Sequence, residues 1–239
     1  MSNEPPFVVS RPLPNAVIYD LSQPGQVQIT LQSSSQWSSG LHWHEDHVEF
    51  LKVMKGSINV RLGQAHHTIT ATRDHQPEIR VDRYIWHEWK RAQEDGEVIV
   101  IERTDPDDGQ KALFFWNLNG VILDAPNILQ RSTLAFLPSI THRMFTNLLV
   151  TINLWVIFYH LDNVPVVLNL PSLYHGDSAD FPVVLTRIDW IFSRGLLILA
   201  NYVGKVLGLE AVNDRYTPAA AYEQWHNTEG QERGKLRLA

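Results

Sequence analysis

Short runs of alternating apolar and polar residues fill the first half of the chain, and longer apolar runs fill the second. QVQITLQ (26–32), EFLKVM (49–54), SINVRL (57–62), HHTITA (66–71), PEIRV (77–81) and EVIVIER (97–103) are separated by the turn signals KG, GQ, RDHQP and EDG. Close-set, β-rich runs of this length predict short strands in a sandwich or small barrel. From Lys111 onward ALFFWNLNGVIL, FTNLLVTINLWVIFYHL and IDWIFSRGLLILANYVGKVLGL are long enough for helices, with prolines between them. The acidic turn TDPDDG at 104–109 divides the two textures. The expected organisation is an N-terminal arm over 1–24, a β-barrel over 25–103, an apolar helical extension over 104–226 and a polar, frayed tail over 227–239.

The apolar runs raise the question of a membrane. A span needs about 20 mostly apolar residues. Phe145–Leu161 is short and carries Thr146, Asn147, Thr151, Asn153 and His160; Ile188–Leu209 holds Asp189, Arg194, Asn201 and Lys205. On a helix Arg194, Asn201 and Lys205 fall near one face and leave a wide apolar remainder. Such a helix suits packing on the barrel or lying in a membrane interface, and an exposed patch of this kind also favours self-association.

Candidate chemistry is concentrated in LHWHEDHVEFLKVMKG, residues 41–56. His42 and His44 are two apart, so on a strand both project from one face. Glu49 opens the strand EFLKVM, Gly56 closes it with a turn, and His87 lies on a later strand, in DRYIWHEW. Three imidazoles and a carboxylate form a mixed nitrogen and oxygen site that suits iron, manganese, nickel, copper or zinc, with ligand type alone not choosing among them. The bland alternative is a surface strand whose polar side chains point outward, which accounts better for Glu45, Asp46 and His47. His47, His66, His67 and His75 are expected at surface or turn positions. His160, at the end of an apolar run, reads as a helix-end histidine. Tyr84, Trp86 and Trp89, neighbours of His87, are candidate walls of a substrate pocket, with Trp89 on the His87 face by alternation and Trp86 on the other, and core packing is the plainer reading.

Composition narrows the possibilities. The chain of 239 residues has no cysteine, so disulfides, thiolate metal sites and cysteine nucleophiles are excluded. A net charge of −6 argues against a nucleic-acid partner. No dinucleotide fingerprint, phosphate loop or nucleophile elbow is present. The N-terminus lacks a basic segment followed by an apolar one, so an intracellular location is expected.

The spacing H-x-H-x4-E-x6-G, carried by His42, His44, Glu49 and Gly56, resembles the first motif of the cupin family, and His87 stands where the second motif supplies a histidine. Asp82 and Tyr84 replace the proline and glycine usual before that histidine. The resemblance implies a single barrel of the double-stranded β-helix type over 25–103, with His42, His44, Glu49 and His87 pointing inward to a divalent metal, and a homodimer. ERTDPDDG, FFWNLNGVILDA and YTPAAAYEQW are further similar to cupin proteins encoded beside fungal polyketide synthases, including cupin oxidoreductases of salicylaldehyde-type pathways. That similarity implies a tailoring step on a lipophilic polyketide intermediate. Oxidation, with Glu49 as ligand or proton acceptor, is the first expectation. A redox-neutral dehydration, isomerisation or cyclisation, and a non-enzymatic ligand-binding or scaffold role, are the alternatives.

Overall fold

The structure is a computed structural model that describes residues 4–92, 96–128, 139–173 and 181–236. Its strands are β1 (Val8–Arg11), β2 (Val17–Asp20), β3 (Val27–Leu31), β4 (His42–Trp43), β5 (Val48–Lys55), β6 (Ser57–Leu62), β7 (Ala65–Thr70), β8 (Glu78–Val81), β9 (His87–Arg91) and β10 (Val98–Asp105). Helices α1 (Gln110–Asp124) and α2 (Ser139–His160) follow, then β11 (Val164–Pro165), α3 (Phe181–Leu207) and α4 (Ala219–Leu236). All six β-runs read from the sequence are strands.

The strands form two antiparallel sheets, in the orders β1-β2-β3-β10-β5-β8 and β11-β4-β9-β6-β7. Alternation sends Glu49, Leu51 and Val53 of β5, and Val98, Val100 and Glu102 of β10, to the buried side. Ile29, Leu51 and Val100 from one sheet share a core with Ile58, Val60 and Trp89 from the other. The fold is therefore a sandwich of two antiparallel sheets. Gly56, between β5 and β6, has φ +78°, and a Cβ there would sit 2.8 Å from the Glu97 carbonyl oxygen, so the turn admits only glycine without strain.

Three boundaries differ from the sequence reading. Residues 8–20, expected in an arm, supply β1 and β2 and extend the first sheet beyond β3. Each is a four-residue strand beside proline-rich text, too short for its alternation to stand out, yet Val9, Val17 and Tyr19 are buried. Residues expected in the extension return to the second sheet, where Val164 pairs with Trp43 and Pro165 with His42. The polar tail is helical as far as Leu236, its glutamate, glutamine, arginine and lysine being good helix formers despite two glycines.

The helical half packs against the sandwich through two clusters. Leu113, Phe114, Phe115, Trp116 and Val121 of α1 join the main core, with Ile157 of α2. A smaller cluster of Trp43, Trp86, Val164 and Leu197 fastens α3 to the second sheet.

Candidate metal centre

Strand pairing sets His42 directly opposite His87 on β4 and β9. His44 follows two residues after His42, past the end of β4, and Glu49 comes across from β5 in the other sheet. One ligand atom from each of His42, His44, Glu49 and His87 lies within 4.8 Å of the others, and all four residues are buried. The structure thus brings together the four side chains expected at a metal.

The imidazoles are oriented from behind. Nδ1 of His42 lies 2.8 Å from the Gly40 carbonyl oxygen, and Nδ1 of His87 lies 2.9 Å from that of Ile85. Nδ1 of His44 is bonded to the Asp162 carbonyl. A carbonyl only accepts, so each Nδ1 carries the hydrogen and each Nε2 is left to face the centre. Such backing of the remote ring nitrogen is what metal-ligating histidines receive. His44 Nε2 is buried with no hydrogen-bond partner among the described residues. Burial, with repulsion from His87 and His44, holds the His42 pKa well below its ordinary value, so its ring is neutral at pH 7. An orphaned buried Nε2, a neutral imidazole and a carboxylate together fit a divalent cation.

Lys111 and Glu102 extend the centre toward the helical half. Lys111, in the first turn of α1, is bonded to Glu49 Oε1 and lies 2.9 Å from Glu102 Oε2. The indole of Trp89 donates to Glu102 Oε1 at 2.8 Å. Burial alone would raise the Glu49 pKa, but Lys111 and the neighbouring His44 and His87 rings outweigh it and hold that carboxyl well below its usual range. At Glu102 burial prevails over Lys111, and the pKa is raised. Burial opposes the Lys111 charge, but Glu102 and Glu49 outweigh it and push its pKa above the ordinary lysine value. Glu49 is therefore the anionic donor and Glu102 the group better suited to carry a proton. Sequence reading missed both partners. Glu102 was legible as the one acid on the inward parity of β10, whereas nothing local marks Lys111.

Beside the cluster lies a cavity of about 310 Å³. His42, Lys111 and Glu102 reach its wall, and Trp37, Phe114, Phe115, Leu118, Leu154 and Phe158 supply most of the apolar lining. Trp89 stands behind that wall, its ring 4.8 Å from Trp37 and its surface fully buried. Tyr84 is elsewhere: it has φ +63°, is largely exposed, and borders a surface hollow with Trp86 and Trp190. Of the three residues expected to wall the pocket, none lines this cavity.

His47 also departs from expectation. It is buried rather than at the surface, with Nδ1 2.7 Å from Asp162 Oδ2 and Nε2 3.2 Å from Asp108 Oδ2. Asp162 accepts further bonds from the backbone N–H groups of Glu45, Asp46 and His47, at 2.7, 2.9 and 3.0 Å. This one residue after α2 therefore holds the loop between His44 and Glu49. His66, His67 and His75 are exposed, as expected, and His160 ends α2 with Nε2 3.0 Å from Asn201 Oδ1.

No protein-family model matches the sequence, and no curated protein matches it either. Similar solved structures include a polysaccharide-assembling protein and two cupin domains. The first is the capsular polysaccharide assembling protein CapF from Staphylococcus aureus, at 13% identity over 42% of this chain and 33% of that one, with a TM-score of 0.33. The CENP-C cupin domain of Drosophila melanogaster shares 12% identity over 41% of this chain and 75% of that one, with a TM-score of 0.32. A cupin-2 domain protein from Shewanella frigidimarina shares 13% over 34% of this chain and 72% of that one, with a TM-score of 0.27. The chain spans about a third of the length of CapF.

Proposed function

We propose that the protein is a metal-dependent enzyme of the cupin type that tailors a lipophilic, polyketide-type intermediate by oxidation, as do cupin oxidoreductases encoded beside fungal polyketide synthases. The observation that carries this reading is the common orientation of His42, His44 and His87. Each Nδ1 is tied to a carbonyl, and the Nε2 atoms share one buried space with Glu49 beside an apolar cavity. Bound there, a redox-active metal would polarise substrate oxygens and supply one-electron chemistry. The chain's own contribution is to fix the donors, exclude water and hold an apolar substrate against the cluster. A cavity of this size, with an apolar wall and polar groups at Arg11, His42, Glu102 and Lys111, suits a small aromatic molecule that carries oxygens.

A second reading draws on Lys111 and Glu102. A raised-pKa carboxyl beside a buried ammonium, both on the cavity wall, suits proton movement in a redox-neutral dehydration, isomerisation or cyclisation.

The test is metal analysis and turnover of the wild type and of His42→Ala/His87→Ala. The enzyme reading expects stoichiometric metal and turnover of an aromatic polyketide intermediate in the wild type, with both lost in the variant. Oxygen uptake coupled to that turnover supports oxidation, and turnover without it supports the redox-neutral route. Ligand binding without turnover in the metal-loaded wild type would make the protein a binding module.

A further inference from the structure

Helix α3 is built inside out. Asp189, Ser193, Leu197, Ala200 and Gly204, spaced along one line of the helix, are buried. The polar members of that line have work to do inside. Asp189 accepts the backbone N–H groups of Leu168 and Leu170 at 3.2 and 2.9 Å, and Ser193 Oγ accepts that of Val167 at 3.1 Å. Gly204 lets α2 come close, since a Cβ there would lie 2.4 Å from the Val156 side chain. With that line turned inward, a wide apolar face is left outside. Ile188, Ile191, Leu199, Tyr202 and Val206 are all exposed, Val206 to 87%. Met144, Phe145 and Leu148 of α2 are exposed as well. A monomer rarely leaves so long an apolar face to water.

The charges on this side are segregated. The chain has 26 acidic residues and 20 basic ones, yet α2 and α3, of 22 and 27 residues, include a single acid, Asp189, and it is buried. The exposed charges on the two helices are cationic: Arg143, Arg187 and Lys205. Arg187 and Lys205 bracket the apolar stripe, about 27 Å apart at 1.5 Å per residue. Exposed Trp190, Phe192 and Tyr202 add amphipathic aromatic rings suited to the headgroup region. No helix among the described residues is long and apolar enough to cross a membrane.

We propose that the exposed face of α3 docks onto an anionic lipid surface, the helix lying in the plane of the interface with the sandwich on its polar side. Apolar burial and counter-charge both favour this occupant. A second copy offering the same face would bring Arg187 and Lys205 toward like charges with no exposed acid on either helix to offset them, whereas anionic headgroups supply the missing sign. The inference does not depend on the reading of the metal centre.

The experiment is vesicle flotation of the full chain with phosphatidylcholine alone and with added phosphatidylserine, with tryptophan emission followed in parallel. The wild type is expected to float with the anionic vesicles, less so at high salt, and its emission to shift to the blue. Ile191→Asp/Ile198→Asp removes two apolar contacts and is expected to lower partitioning at least about 100-fold. Arg187→Glu/Lys205→Glu alters only exposed groups, so it keeps the fold, and it is expected to abolish the preference for phosphatidylserine. A wild type that stays with neither vesicle overturns the proposal. So does a dimer in sedimentation velocity that Ile191→Asp/Ile198→Asp dissociates while vesicle binding is absent, because a second copy then covers the face.

Discussion

His87 and Glu49 meet across the space between the two sheets, Nε2 2.9 Å from Oε2, although strand pairing sets His87 opposite His42. The His87 hydrogen at Nδ1 is already used on Ile85, so Nε2 turns its lone pair toward the Glu49 side, where a cation could accept it. His87→Ala is therefore expected to lower divalent-metal affinity by at least about 100-fold, the upper end of what loss of an outer partner costs. A competitive chelator titration checks this. Unchanged affinity would place the metal elsewhere.

Lys111 is the ammonium shared by two buried carboxylates, Glu49 and Glu102. Removing one partner of a buried charge set costs about 3–5 kcal/mol. Lys111→Met should destabilise the metal-free protein by that order in urea unfolding, and Lys111→Met/Glu102→Gln should recover part of it. No recovery would mean that Glu102 is already uncharged beside Lys111.

His47 gives a dependence on pH. Burial opposes its charge, but bonds to Asp108 and Asp162 and their negative charges outweigh it and push its pKa from 6.5 up to about 9. A group raised in this way adds stability below the unfolded value of 6.5 and loses it as pH climbs through about 9. The urea midpoint of the wild type should fall over that window more steeply than that of His47→Gln. Parallel profiles would show that the imidazole is neutral in the fold.

Leu118 lines the cavity and is none of the four candidate ligands, so it separates substrate from metal effects. Leu118→Trp should fill part of the space and raise KM for a lipophilic substrate about tenfold or more, for a loss near 1.4 kcal/mol. Metal content should not change. An unaltered KM would move the substrate to another surface.

Asp189 reports on which way α3 faces. Asp189→Ala leaves the N–H groups of Leu168 and Leu170 without their acceptor and should cost about 1–3 kcal/mol. A neutral substitution would put that residue in water and reverse the assignment of the two faces.

The sequence by itself determined a great deal that is local. β-rich runs between turn signals marked every strand from β5 to β8, and the spacing of His42, His44 and Glu49, by its resemblance to a known motif, named three candidate ligands. Alternation tells which residues share a face, but not which faces meet. Only the tertiary structure set His42 against His87, brought Asp162 behind His44 from 118 residues away, and inserted Lys111 between Glu49 and Glu102. The same division holds for α3. Composition showed a wide apolar face and a narrow polar one, and burial of apolar surface alone would have turned the wide face inward. The buried line is instead Asp189, Ser193, Leu197, Ala200 and Gly204, in which Asp189 and Ser193 accept the backbone N–H groups of Val167, Leu168 and Leu170, while Lys205 of the polar face stays exposed.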